Sequence, residues 1–244
     1  MILGRLAAEG RVQVAVLADE LGISEVTIRQ DLGMLERQGL LRRTHGGAIA
    51  LERGFELPFA RTAEANTASK NRIAQAAAAM VREGETIILD VGTTATAVAR
   101  ALFSRANLTV VTNALNIAAL LEEAPGIKVI VTGGTLRAVQ HSLVNPLGME
   151  ILDRVRADRA FIGANGVEAA SGVTNANFPE AEIKRAMMHA AREKILVADG
   201  TKIGRVAAAV VAPVRDFDLL ITTQDGEGPA CRALRDAGLA VQIV

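Results

Sequence analysis

Residues 14–48 read VAVLADELGISEVTIRQDLGMLERQGLLRRTHGGA, and the N-terminal fold is decided in this stretch. Val14, Leu17, Ala18 and Leu21 fall on one helical face. Gly22 is suited to end that helix in a left-handed cap, and Ile23 to plug the corner that follows. Ser24 is a good N-cap for a second helix, with Glu25 at its positive end. Ile28, Leu32 and Leu35 recur at i, i+4 and i+7 and form its buried stripe. Thr27, Gln30, Met34 and Arg37 are left outside, with Arg29 at the flank. Helix, glycine turn and helix with a polar outer face make a helix-turn-helix. Beyond Gly39 the chain is apolar at Leu40 and Leu41, then polar and basic through Arg42, Arg43, Thr44 and His45. Gly46 and Gly47 follow, so a hairpin wing is expected.

Upstream, Ile2, Leu3 and Leu6 place a first helix over residues 1–9, facing the same small core. Downstream, residues 51–62 hold Gly54 and Pro58 and show no periodicity, which reads as a linker. A long helix is expected from Ala68 to Arg82. The domains are therefore 1–50 for the winged helix-turn-helix, 51–67 for the linker and 68–244 for the remainder.

From Gly84 onward short aliphatic runs alternate with helical segments. The runs are Thr86–Leu89, Leu108–Val111, Lys128–Val131, Arg159–Ile162, Ile195–Val197, Leu219–Ile221 and Ala240–Ile243. Such alternation gives an α/β domain with a mainly parallel sheet covered on both faces. Ligands of such sheets sit beyond the carboxyl ends of the strands. Those ends here carry Asp90-Val91-Gly92-Thr93-Thr94, Thr112-Asn113, Thr132-Gly133-Gly134, Gly163-Ala164-Asn165-Gly166 and Asp199-Gly200-Thr201-Lys202. Gly92 admits close backbone approach, and Thr93 and Thr94 set hydroxyls beside the free amides of a helix start, which suits a phosphate. An Asp/Gly turn with a threonine N-cap is the plainer account of the same residues. Five strand ends with small polar residues, hydroxyls and Lys202 favour a phosphorylated ligand over turn chemistry alone.

Composition narrows the classes. The chain has 244 residues, 27 basic and 27 acidic, so its net charge gives no global support for nucleic-acid binding. Within residues 1–50 the charges also balance, but four arginines (29, 37, 42 and 43) lie on the second helix of the motif and in the wing. No apolar run approaches the roughly 18 residues of a membrane helix, and no signal peptide is evident. A single cysteine, Cys231, excludes a disulfide framework and, with no secretion signal, points to the cytoplasm. Cys231 itself reads as a buried helix residue rather than a nucleophile. His45, His141 and His189 stand in separate segments, and there is no metal-ligand spacing and no Gly-x-Gly-x-x-Gly, so neither a metal nor any other cofactor is expected.

Ser24-x-x-Thr27-Ile28-Arg29-Gln30-Asp31-Leu32 and the wing Leu41-Arg42-Arg43-Thr44-His45-Gly46-Gly47-Ala48 resemble the DNA-binding domain of the DeoR family of bacterial transcriptional regulators. Gln30 stands where the family has arginine. Asp90-x-Gly92-Thr93-Thr94, Thr112-Asn113, Gly133-Gly134-x-Leu136, Glu180-Ala181-x-x-Lys184-Arg185 and Asp199-x-Thr201-Lys202-x-Gly204 resemble its effector domain. That domain is similar in fold to ribose-phosphate isomerases and CoA transferases and binds phosphorylated sugars. The resemblance implies a repressor of sugar-metabolism genes, relieved by a sugar phosphate and reading operator DNA as a homodimer or larger even assembly. It assigns DNA contact to Ser24, Thr27, Arg29, Gln30, Arg37, Arg42, Arg43 and His45. It assigns the effector to Asp90, Gly92, Thr93, Thr94, Asn113, Gly133, Gly134, Lys184 and Lys202, with Thr93, Thr94 and Lys202 on phosphate and Asp90 and Asn113 facing hydroxyls.

Lys184 is open to two readings, a second phosphate cation or a surface lysine paired with Glu180 one turn away. His141 is a ligand contact or a solvated loop residue. An isomerase with an appended DNA-binding head is the alternative from another class. Isomerases of similar fold carry an acidic cluster where this chain has Gly163-Ala164-Asn165-Gly166, so an enzyme is not expected. A scaffold without effector leaves the polar strand ends unexplained.

Overall fold

The computed structural model describes residues 2–37, 41–49 and 59–244, and the chain divides into two compact units, 1–57 and 58–244. In the first unit, α1 (Ile2–Glu9), β1 (Arg11–Gln13), α2 (Val14–Leu21), α3 (Glu25–Arg37), β2 (Arg42–Thr44) and β3 (Gly47–Ile49) surround one small core. Leu6, Val12, Val14, Leu17, Ile28, Leu32, Leu41 and Ala48 are its buried members. Gly22 adopts φ 64° at the end of α2, and the amides of Gly22 and Ile23 return to Asp19 and Ala18. Ser24 Oγ accepts the Thr27 amide at 3.1 Å and so caps α3. One expectation is corrected: Ile23 is 40% exposed and does not plug the corner. The wing is a three-stranded antiparallel sheet in the order β1-β3-β2. Only glycine fits at position 47, where a Cβ would lie 1.9 Å from the Val12 carbonyl oxygen of the neighbouring strand. Strand β1 escaped the reading of the sequence because three residues show no period.

The second unit contains α4 (Phe59–Glu64), α5 (Thr67–Met80), β4 (Thr86–Leu89), α6 (Thr93–Leu102), β5 (Leu108–Thr112), α7 (Leu115–Glu122) and β6 (Ile127–Val131). The hairpin β7 (Thr135–Arg137) and β8 (Ser142–Val144), α8 (Leu147–Asp153), β9 (Ala157–Ile162), β10 (Gly166–Glu168), β11 (Gly172–Asn175) and α9 (Phe178–Ala190) follow. The chain closes with β12 (Ala191–Val197), β13 (Ala209–Ala212), β14 (Leu219–Thr222), α10 (Pro229–Asp236) and β15 (Ala240–Ile243). Residues 59–64, read as linker, are helical; residues 51–58 of the expected linker lie outside the described residues.

All seven anticipated strands join one parallel sheet in the order β15-β14-β12-β9-β4-β5-β6. Ile88, Ala160, Ile162, Leu196 and Leu220 face one way and pack under α9 through Ile183 and Met187. Ile87, Leu89, Phe161, Ile195, Val197 and Ile221 face the other way, under α5, α6 and α7. The two-residue period thus divides between two cores, as a sheet covered on both faces requires. A second small sheet, β10-β11-β13, is antiparallel and was not foreseen.

Candidate functional site

Register brings three predicted strand ends together. Leu89 pairs with Thr112 on β5 and with Phe161 on β9. Asp90, Asn113 and Gly163 therefore emerge side by side. Asp90 is fully buried; its Oδ2 accepts the Gly163 amide at 2.9 Å and pairs with the Lys184 ammonium, which also donates to the Gly163 carbonyl at 3.1 Å. Burial pushes the Asp90 carboxyl above its ordinary value, and the Lys184 charge only partly offsets this. Lys184 is thus not a surface lysine paired with Glu180: that reading is corrected by the partner that β4 supplies, 94 residues away in the chain.

Two buried acceptors in this neighbourhood lack a hydrogen-bond partner, Asp90 Oδ1 and Asn113 Oδ1. The Asn113 amide nitrogen is already used on the Leu143 carbonyl at 3.3 Å. Unmet buried acceptors cost about 1–3 kcal/mol each, so a donor-bearing ligand is favoured at both. Beside them α6 starts without a side-chain cap: its N-cap is Gly92, at φ 129° and ψ 164°, and a Cβ there would meet open space. The plainer reading, a threonine N-cap, does not occur. The amides of Thr93 and Thr94 are among the first-turn donors that no intrahelical carbonyl can reach. Thr96 instead turns its hydroxyl back to the Gly92 carbonyl at 2.9 Å.

Gly133 and Gly134 follow β6 at positive φ. A Cβ at Gly134 would lie 2.5 Å from the Val144 carbonyl oxygen, so this glycine is required by the β7–β8 hairpin. Thr201 and Lys202 lie on a short turn after β12, two strand spacings or roughly 10 Å from Asp90. Asp199 Oδ1 caps that turn by accepting the Thr201 amide at 3.0 Å, and it also takes the Thr201 hydroxyl. Lys202 is half-buried and has no ion-pair partner among the described residues.

Other functional positions were not legible in the sequence. Glu180 is 3% exposed and accepts from Arg137, from Ser142 Oγ at 2.6 Å and from Asn175 at 3.3 Å. It ties the hairpin to α9; its place four residues before Lys184 disguised it as a helix-surface partner. Lys70 is 4% exposed and donates to the carbonyls of Thr62 and Ala65 at the end of α4. His141, at φ 57°, is exposed, lays its ring edge-on against Phe59 at 5.5 Å, and accepts the Leu115 amide just beyond β5 on its carbonyl.

In the first unit Ser24, Thr27, Arg29, Gln30, Arg42, Arg43 and His45 are all exposed. The α3 and wing residues are held to one another, since Glu36 Oε1 accepts the Arg43 amide at 2.8 Å. Arg29 is paired with Glu25 at 2.5 Å, and the Thr27 hydroxyl bonds that of Ser24 at 2.9 Å. Arg42 and Arg43 have no ion-pair partner among the described residues. The side chain of Arg37 lies outside the described residues.

Comparison with known proteins agrees with both halves. The chain is 34% identical over 243 residues to the HTH-type transcriptional regulator GolR of Listeria innocua, covering 99% of this chain and 96% of that protein. It is 29% identical over 242 residues to the glycerol-3-phosphate regulon repressor of Escherichia coli, covering 99% and 96% respectively. Among solved structures, ribose 5-phosphate isomerase A of Methanocaldococcus jannaschii aligns with a TM-score of 0.44 and 19% identity, covering 63% of this chain and 59% of that one. Residues 1–53 match the DeoR-like helix-turn-helix domain, and residues 65–224 the DeoR C-terminal sensor domain. With both signature domains present in order, the chain belongs to the DeoR family of transcriptional regulators.

Proposed function

We propose that this protein represses sugar-metabolism genes in the cytoplasm and releases its operator when a phosphorylated sugar binds at the carboxyl edge of the parallel sheet. The observation that carries the proposal is the pair of unpartnered acceptors, Asp90 Oδ1 and Asn113 Oδ1, beside the uncapped start of α6. Acceptors call for hydroxyl donors, and free amides call for an anion, so a polyol or sugar bearing a phosphate fits both. Thr93, Thr94 and Lys202 hold the phosphate in this reading, and Asp90 and Asn113 take the hydroxyls. Lys184 keeps Asp90 charged and placed. One relative is named a repressor of a glycerol-3-phosphate regulon, which makes glycerol 3-phosphate one of the candidates to test. DNA is read by α3 through Thr27, Arg29 and Gln30, with Arg42, Arg43 and His45 of the wing on the backbone. Half-sites are read in pairs, which implies a homodimer or a larger even assembly.

Turnover is not part of this reading. Isomerisation needs a carboxylate free to move a proton, but Asn165 has none and its Oδ1 accepts the Ala176 amide at 2.7 Å. Glu180 is held by three donors and Asp90 by Lys184. The test is operator binding, on a duplex selected by the protein from a random pool, titrated with glycerol 3-phosphate, fructose 6-phosphate and glucose 6-phosphate. Release by one of them at a concentration that also raises the melting temperature is expected. Aldose–ketose conversion by the purified protein, or indifference to all three, would remove the reading.

A further inference from the structure

The helix nearest the linker and the turn that carries Lys202 meet at one corner of the second unit. Helix α4 begins at Phe59, the first residue described beyond Ile49, and ends where the ammonium of Lys70 takes up the carbonyls of Thr62 and Ala65, the latter at 2.5 Å. Those are terminal carbonyls that the helix cannot satisfy itself, and a buried cation closes them. Asn66, at φ 53° between α4 and α5, points its amide at Asp199 Oδ1, 3.5 Å away. The same oxygen accepts the Thr201 amide and hydroxyl beside Lys202. Lys70 has a lowered pKa: burial is the main cause, the Asp199 charge works against it and the Lys202 charge adds to it. The Asn66 amide thus ties Asp199 and its turn to the corner that Lys70 closes. Nothing in the ligand reading above needs a buried lysine at this place.

We propose that Lys70 is a positioning residue through which the phosphate held by Thr93, Thr94 and Lys202, and reaching Thr201 beside Lys202, acts on α4 and hence on the linker. An arriving phosphate is a charge-assisted acceptor and draws the Thr201 hydroxyl away from Asp199. Asp199 then keeps the Thr201 amide but loses the hydroxyl, and the Asn66 amide is the donor already turned toward it. The phosphate also offsets the Lys202 charge that repels Lys70. Both changes tighten the α4–α5 corner, so the bound state holds the start of the second unit more rigidly than the free state. The hairpin grips the other end of α4, where the Phe59 amide donates to the Val139 carbonyl at 2.9 Å, so the helix moves as a piece. Differential affinity for two states of this corner is the whole of the coupling required.

The inference rests on the phosphate reading, and hydrogen–deuterium exchange of the full-length protein separates the two. The probes are inorganic phosphate, glycerol 3-phosphate, fructose 6-phosphate and glucose 6-phosphate. In the wild type, a binding probe slows exchange at residues 92–94 and 199–202, and slows residues 59–70 on the order of tenfold, within the usual range of site-to-site coupling. In Lys70→Met the protection at 92–94 and 199–202 persists while that at 59–70 is lost, and Lys70→Arg, which keeps charge and donors, restores it. Asn66→Gly keeps the left-handed backbone, severs the contact with Asp199 and lowers the response as well, which keeps the test open should Lys70→Met fail to fold. Protection at 92–94 and 199–202 with residues 59–70 unmoved overturns the relay and leaves the phosphate site standing. Protection at 59–70 that survives both Lys70→Met and Asn66→Gly also overturns it. No protection at 92–94 or 199–202 by any probe removes the phosphate site and the relay together.

Discussion

Lys184 and Asp90 hold opposite charges in a place almost closed to water, with side chains 3% and 0% exposed. The worth of such a pair lies in not being broken: removing one partner leaves a buried charge uncompensated and costs about 3–5 kcal/mol. Lys184→Met is therefore expected to destabilise the second unit by that order at neutral pH. The loss should shrink on acidification. The carboxyl of Asp90 is already raised by burial, and without Lys184 it rises further. A carboxyl with a folded pKa above its unfolded value contributes most below the unfolded pKa and loses that contribution as pH rises through the folded one. The penalty in the variant accordingly grows with pH from the ordinary carboxylate range upward. Urea unfolding of wild type and variant across pH 4–8, taken as roughly the accessible window, checks this; a penalty independent of pH would show that Asp90 is not left charged and unpaired.

At the scale of the element, α3 exposes Glu25, Val26, Thr27, Arg29, Gln30 and Met34 together. A face with Val26 at 61% and Met34 at 46% exposure suits contact with base edges and thymine methyls better than bare solvent. Glu25 holds Arg29 back only weakly, since an exposed i,i+4 pair contributes about 0.3–0.5 kcal/mol and a phosphate displaces it. Glu25→Gln should weaken α3 slightly, by about 0.5 kcal/mol of lost helix-dipole interaction, yet tighten operator binding roughly twofold and steepen its salt dependence by about one ion. Fluorescence anisotropy between low and physiological salt measures both. Weaker binding with an unchanged slope would take Arg29 off the DNA. In the wing, Arg42→Ala and Arg43→Ala should each lower the slope by about one and weaken all sequences alike.

At the scale of the whole molecule, the sensor must change while the DNA-binding unit keeps its own contacts. Lys202→Ala separates these roles. Losing a charge-assisted contact to phosphate costs on the order of 1.5–3 kcal/mol, or roughly tenfold and more in effector affinity. Operator affinity without effector should barely move, because Lys202 lies in the second unit and α3 and the wing in the first. The expected protein holds its operator and releases it only at raised effector concentration. An unchanged release midpoint would take Lys202 out of the site, and lost operator binding would assign it a structural role.

The sequence by itself determined the elements whose physics is local. The Gly22 cap, the Ser24 cap, the Ile28 and Leu32 stripe and the β2–β3 hairpin of the wing rest on contacts within a few residues, and so were legible, whereas the β1 strand that completes the wing was not. The seven strands of the parallel sheet were legible for the same reason: each is a short aliphatic run, buried on both faces in the central strands. Tertiary structure alone decided what lies between distant segments. Lys184 reads as a helix-surface residue until β4 brings Asp90 beside it, and Glu180 reads as its partner until the hairpin delivers Arg137 and Ser142. Lys70 shows no sequence signal, because its acceptors are backbone carbonyls, which any sequence supplies. Charges buried in pairs are chosen by three-dimensional proximity and by the cost of leaving either one alone, and neither is written in the order of residues along the chain.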